Sequence, residues 1–278
     1  MAEYQGKDII IKPTKGWIAV NVQELWRFRG LLYIFTWRDI KVRYKQTAIG
    51  VLWAIFQPFL LMVIFSAFFG GLVKVPSDGV PYPIFVYSGL LFWNYFSTAL
   101  TNASNSLVEN ENLIKKIYFP RLLLPFSPAI TPIIDFLIAF VVLGGMLVFY
   151  GFSPSWPGIL LLPVLVVLSF LAASGLGSFL AAINVRYRDV RYALPFFIQS
   201  LLFLTPVIYP TTLVSPKYHW LLALNPMTGI IEAARSIIIH TKELDVSLLL
   251  ISFASSVFLF FLGVFYFRKT ERVFADVA

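Results

Sequence analysis

The chain has no cysteine, and its 278 residues include only two histidines, His219 and His240. Without thiols there is no disulfide framework and no thiolate-held metal. The histidines stand far apart, with no carboxylate or second histidine at ligand spacing, so no metal or cofactor is predicted in this chain. Charge is scarce as well. Asp, Glu, Lys and Arg make up 13% of the residues, about half the share that covers a water-facing surface. There is no G-x-x-x-x-G-K-S/T loop to cradle nucleotide phosphates and no G-x-S-x-G elbow to present a nucleophilic serine. A P-loop ATPase, an α/β-hydrolase and a zinc enzyme are all excluded.

What the chain has instead is hydrophobic length. Apolar residues make up 59% of it, and the mean hydropathy is +0.80. Crossing the hydrocarbon core takes roughly 20 consecutive apolar residues. The apolar runs predict an all-α integral membrane protein with six transmembrane helices, at 50–73, 82–106, 122–150, 157–185, 193–209 and 246–267. They frame a cytoplasmic N-terminal segment at 1–49, a membrane domain at 50–267 and a cytoplasmic tail at 268–278. Pro58, Pro128, Pro132, Pro163 and Pro206 fall inside spans, which membrane helices tolerate because neighbouring groups re-satisfy the freed carbonyls. The polar start and the length of the first apolar run argue against a cleavable signal peptide.

Orientation follows from the basic residues. All but Lys74, Lys217, Arg235 and Lys242 of the 22 lysines and arginines fall in the N-terminal segment, the second and fourth loops, or the tail. Positive loops stay inside, so both termini are expected in the cytoplasm. The net charge of +8 then reflects topology rather than nucleic-acid binding, and no nucleic-acid partner is expected.

Two segments outside the spans carry structure of their own. Before the first span, Leu25, Phe28, Leu32 and Phe35 recur at helical spacing, predicting an amphipathic helix on the membrane surface, or alternatively one packed on protein. Between spans five and six lie two apolar runs, 218–224 and 227–240, split by Asn225-Pro226 and each too short to cross. They predict two short re-entrant helices; an amphipathic external loop is the alternative. Asp135 is the only ionisable residue well inside a predicted span. Pairing with a basic residue near the cytoplasmic face, or capping of a helix broken at Pro132, is weighed there above an ion-coupling role.

With no nucleotide site and no chain of buried charges, a transporter of this kind is either passive or borrows energy from a partner. The second loop offers a docking element. From Glu109 to Arg121 it reads as a short helix with acids early and lysines late, the sense that suits the helix dipole, stopped by Pro120. Leu113, Ile114, Ile117 and Tyr118 form an apolar stripe for a groove on another subunit, or for the bilayer.

These residues resemble a known family. Arg43-Tyr44-Lys45, Gly50-x-Leu52-Trp53 and Pro58 resemble the start of the first span in type-2 ABC permeases that export polysaccharides. So do Ile114-Lys115-Lys116 with Phe119-Pro120-Arg121, Asn184 with Arg188-Asp189-Val190, Thr205-Pro206-Val207 with Tyr209, and Asn225-Pro226. The matches run in order across nearly the whole chain, and the nearest resemblance is to O-antigen exporter permeases, with capsule and teichoic acid permeases close by. The resemblance implies a homodimer in a bacterial inner membrane, bound to two copies of an ABC ATPase subunit that holds ATP and Mg. It implies a lipid-linked polysaccharide substrate moved from cytoplasm to periplasm. It makes Glu111, Leu113, Ile114, Lys115, Lys116, Ile117, Tyr118 and Phe119 the coupling helix. The short helices before the last span become a periplasmic gate, with Tyr218, Trp220, Asn225, Pro226, Glu232 and Arg235.

Aromatic side chains form 17% of the chain, and flat rings stack on the C–H faces of sugars. Trp53, Phe56, Tyr87, Phe92, Trp93, Tyr95 and Phe96 are the candidate channel-lining residues; packing against lipid is the plainer role for membrane aromatics. The competing functions are an ABC permease for a small lipid or drug, a membrane enzyme acting on lipid-linked sugars, and a proton-driven flippase. The enzyme would need a carboxylate or histidine constellation, and Asp189 beside Arg186, Arg188 and Arg191 is the nearest approach to one.

Overall fold

A computed structural model describes residues 22–45, 50–154, 156–187, 189–240, 242–271 and 274. The predicted stretch 1–21, Arg188 and most of the tail lie outside the described residues. Helices occupy all six predicted spans, and no strand occurs among the described residues. Four segments are long and apolar enough to cross a membrane: Val51–Leu72, Leu123–Tyr150, Leu162–Arg186 and Val246–Thr270. The other two depart from that standard for visible reasons. The helix α4 (Tyr82–Glu109) is long enough at 28 residues, but its second half is rich in Asn, Ser and Thr. The helix α10 (Val190–Leu204) has 15 residues.

The N-terminal region forms α1 (Val22–Arg27) and α2 (Arg29–Lys45), separated at Phe28. The first apolar helix, α3 (Val51–Phe65), widens into a π-helical stretch at Ser66–Leu72. After α4 come α5 (Glu111–Lys116), α6 (Leu123–Ile130), α7 (Ile133–Tyr150) and the short α8 (Trp156–Ile159). The chain continues through α9 (Leu162–Arg186), α10, α11 (His219–Ala223), α12 (Pro226–Ile238) and α13 (Val246–Thr270).

Prolines set several breaks. Pro132 splits the predicted third span into α6 and α7, and the hydroxyl of Tyr95 donates to the carbonyl of Ala129 just before the break (3.2 Å). The predicted fifth span at 193–209 ends early, at Leu204. Thr205 is extended, with ψ of 139°, because a residue before proline is pushed out of the helical region.

The hub is α4, which packs on α3, α6, α7, α9 and α12, while α9 also pairs along its length with α13. Glycine permits that second pairing. A Cβ on Gly263 would lie 1.9 Å from the carbonyl oxygen of Gly175, and one on Gly175 would lie 2.4 Å from the Cα of Phe260. Small residues let membrane helices approach backbone to backbone in this way.

The apolar interior falls into two clusters. The larger holds the first half of α4, α7, α9 and α12. The smaller gathers Phe35, Leu107, Ile114, Phe119, Leu122, Ala181, Val264, Phe267 and Phe274 at the opposite end of α4. The smaller cluster lies where most of the described basic residues emerge, here called the basic end.

Two predicted features are corrected. First, the stripe Leu25, Phe28, Leu32, Phe35 does not form one continuous helix face: Phe35 is buried against Phe119 (ring centroids 5.6 Å apart), and Leu25 and Phe28 pack on the same cluster. This is the protein-packed alternative. Second, the loop helix is only α5; Ile117 is extended (φ −134°, ψ 137°), so the apolar stripe is broken. Two short helices, α11 and α12, do stand at the predicted re-entrant stretch, and α12 is packed on protein. Nearly all of it, Ser236 apart, is buried against α4, α9 and α13.

Candidate functional site

The aromatic candidates divide sharply. Tyr87, Phe92, Trp93, Tyr95 and Phe96 are all buried on α4. Phe92 and Tyr95 meet Phe136 of α7 edge-on at 5.1 and 6.0 Å, and the Tyr87 hydroxyl donates to the carbonyl of Ala139 (3.1 Å). Phe92, Tyr95 and Tyr87 hold α4 to α7, while Tyr95 also borders the cavity beside α3 and Trp93 the one towards α10. Trp53 and Phe56, on α3, are about half exposed and tilt against each other at 5.8 Å.

The surface that α4 does present is polar. Between Ile84 and Leu107 the residues that reach the surface are Asn94, Ser97, Thr98, Thr101, Asn102 and Asn105. Spacings of three and four place them on one helical face. Three cavities open along it. One of about 520 Å³ lies among α2, α3, α4 and α7, bordered by Arg43, Tyr44, Trp53, Gln57, Asn94, Thr98 and Asp135. One of about 410 Å³ lies towards α10, at Ser97, Thr98, Thr101, Asn102 and Gln199. The third, about 500 Å³, lies near the basic end between α2 and α6, at Arg38, Asp39, Asn102 and Glu109. The pattern N-x-x-S-T-x-x-T-N-x-x-N was readable in the sequence. Its signal is a helical period in polar residues inside an apolar run.

Asp135 borders the first cavity in an ion pair. Its carboxylate meets Arg43 of α2 at 2.5 Å and also accepts from the Tyr44 hydroxyl. Burial, reinforced by the Asp135 carboxylate, pushes the Tyr44 phenol well above its ordinary value, so tyrosine stays the donor. The pairing reading of Asp135 therefore has named partners.

At the basic end, the predicted coupling residues are arranged in two directions. Ile114 and Phe119 are buried in the smaller cluster. Lys115, Lys116, Ile117 and Tyr118 are exposed, with Leu113 and Glu111 partly covered and Lys115 bonded to Glu111 at 2.7 Å. The segment is anchored at Ile114 and Phe119 and shows the four residues between them outward. Burial and the neighbouring Glu24 and Glu271 carboxylates raise the Tyr118 phenol, which bonds to Glu24 of α1. Beside it, Arg121 donates to the Glu271 carbonyl at 2.6 Å, tying the loop to the end of α13.

At the far end, the predicted gate residues also divide. Tyr218 and Trp220 are exposed. Asn225 caps α12 by accepting from the Met227 amide (3.0 Å) and donates to Thr205 (2.7 Å). Arg235 is 1% exposed. Its guanidinium donates to the carbonyls of Phe85 (3.2 Å), Pro206 (2.6 Å) and Val207 (2.6 Å) and lies 3.7 Å over the Phe85 ring. Glu232 pairs with it at 3.5 Å, and Lys242 joins Glu232 (3.1 Å) to Asp78 (3.3 Å) in the loop before α4. Lys242 and Asp78 were not singled out from the sequence, and nothing local in it marks them. The inward side of α12 is thus a fastened element, and of the predicted gate residues only Tyr218 and Trp220 are exposed.

Among the described residues, no three His, Asp or Glu side chains cluster as a metal site. A polytopic helical membrane protein, with a polar helix face at its centre and a half-anchored loop at its basic end, has the build of a transport subunit. Residues 30–239 match the family described as ABC-2 type transporter, and the chain belongs to that family. It is similar to an O-antigen export system permease protein RfbA of Myxococcus xanthus, 30% identical over 92% of this chain and 98% of that protein. An RfbA of the same description from Klebsiella pneumoniae is 27% identical over 89% of this chain and 94% of its own length. The polysialic acid transport protein KpsM of Escherichia coli is 21% identical, with coverage of 71% and 77%.

Proposed function

We propose that the chain is the membrane permease subunit of an ATP-driven exporter that carries a lipid-linked polysaccharide out of the cytoplasm. One observation carries this reading: near full-length similarity to O-antigen export permeases, at 30% and 27% identity. In the working assembly two copies of the chain bind two ATPase subunits, which hold the ATP and Mg that this chain has no P-loop to bind. It sits in the inner membrane with six spans, α4 and α10 joining the four strongly apolar segments. The basic end faces the cytoplasm, as the positive-inside rule requires.

Energy enters at the outward-facing coupling residues. Lys115, Lys116, Ile117 and Tyr118 meet the ATPase, while Ile114 and Phe119 pass its movement to α2, α9 and α13 through the shared cluster. The far end opens at Tyr218, Trp220 and α11, with α12 moving together with α4. Lys116→Glu or Tyr118→Ala is expected to abolish export while the chain still inserts and folds. The check is surface polymer, together with recovery of the ATPase on affinity purification of the tagged chain in mild detergent. Undiminished surface polymer from both variants would overturn the coupling assignment. Reproducible recovery of the well-folded wild-type chain without an ATPase would overturn the ATP-driven reading.

A further inference from the structure

The polar face of α4 runs against the rule its neighbours obey. A lipid-facing helix turns apolar residues outward, as α7 does with Leu137, Val141, Val148 and Phe149. On α4 the rings are inside and the amides and hydroxyls are outside. An amide moved into hydrocarbon without a partner costs about 4–8 kcal/mol, so a row of them facing lipid tails would not persist. The rest of the chain covers the row only in part: each of the six is partly exposed, and Asn184 donates to the Asn105 side chain at 3.2 Å. The hydroxyls of Ser97 and Thr101 donate only backwards, to the carbonyls of Asn94 (3.2 Å) and Ser97 (2.8 Å), and leave acceptor positions open. The Asn94 amide nitrogen is shielded from solvent and has no partner. Beside these side chains lie cavities of about 520, 500 and 410 Å³.

The geometry points to this face, centred on Thr98 and Asn102, as the surface along which the exported sugar chain slides. The assignment rests on the polysaccharide-export reading and gives that reading a contact surface. Amides and hydroxyls both donate and accept, as sugar hydroxyls do. They are neutral, so no strong charge pair holds any one unit in place. Six such residues at helical spacing offer successive, interchangeable partners to a moving polymer, and they tolerate variation in its sugars. The buried rings of Phe92 and Phe96 then serve as the stiff backing of the track.

The test uses the absence of cysteine from the chain. In the complete complex, Thr98→Cys and Asn102→Cys each introduce the one thiol of this subunit. Val141→Cys, on the apolar face of α7, is the control. A charged, water-soluble thiol reagent reacts with thiolate, which forms only where water reaches. Labelling of Thr98→Cys and Asn102→Cys on the order of tenfold faster than Val141→Cys is expected, with several-fold loss of export once the bulky adduct is in place. The second position gives the same readout should one variant fail to assemble. Labelling no faster than at Val141→Cys would overturn the proposal. So would oxidative crosslinking of Thr98→Cys between two copies with no reagent access, which would mark a dry contact between subunits. Full labelling with undiminished export would overturn it as well. If cells lacking the chain keep normal surface polymer, the export reading falls instead, and the labelling pattern stands apart from it.

Discussion

The two ends of α4 are fastened by different chemistry. At its start, Phe85 gives its carbonyl and its ring to a guanidinium that is 1% exposed. The same guanidinium closes on Pro206 and Val207, and Asn225 reaches back to Thr205. Three chain segments, the start of α4, residues 206–207 and α12, are locked through one buried cation. At the other end, Arg38 donates to Asn110 at 3.2 Å and pairs with Asp39 at 2.8 Å, with side chains 45% and 22% exposed. Arg43 and Asp135, which tie α2 to α7 beside the middle of α4, are likewise 36% and 19% exposed. Buried, multiply bonded charge is costly to break, whereas half-exposed pairs are worth about 1 kcal/mol or less and exchange readily with water. The far end is therefore a block and the basic end a joint, which suits a machine driven from its basic side.

The strongest way to break this contrast is Arg235→Ala. It leaves three carbonyls and Glu232 without their shared donor, and removal of one partner from a buried charged network costs about 3–5 kcal/mol. A fall in thermal midpoint in detergent, with loss of amide protection across 226–238 and around Val207, is the expected result. Protection unchanged in α12 would mean the block does not depend on its central cation. A smaller effect is expected from Lys242→Met. Glu232 keeps Arg235, and what is lost is the bridge to Asp78, a partly exposed pair worth about 1 kcal/mol or less. Hydrogen exchange should rise in the loop before α4 and leave α12 itself protected.

Helix placement was legible in the sequence because hydrophobic runs of membrane length are a strong, local signal; each of the six predicted spans holds a helix. Helix ends were less legible. The break at Leu204 is written in Thr205-Pro206, yet the apolar residues Val207 and Ile208 beyond it made the span look longer. The loop helix failed as a continuous stripe because tertiary contacts bury Ile114 and Phe119 and turn Ile117 outward, a choice that spacing alone does not encode. Composition named aromatic residues as lining, but burial depends on which face of α4 meets α7 and α9. That face is set by partners far away in the chain. Arg235 shows the same limit: its carbonyl partners lie 150, 29 and 28 residues away.

The smallest effect is expected at the joint and sharpens the contrast most. In Asp135→Asn the side chain keeps an oxygen to accept from Tyr44 but loses its charge for Arg43, a loss of about 1 kcal/mol or less for a pair this exposed. The thermal midpoint should hardly move. Hydrogen exchange should nevertheless rise along 29–45, because the pair fastens the last turn of α2 to α7 at the mouth of the largest cavity beside the polar face. Exchange at 226–238 should stay as in the unchanged protein, since Arg235 and its carbonyls are untouched. A rise at both ends together would show that the ends are not independent, and the division into block and joint would fail. A rise confined to 29–45, beside the opposite pattern in Arg235→Ala, would show the start of α4 held firmly while α2 is released cheaply.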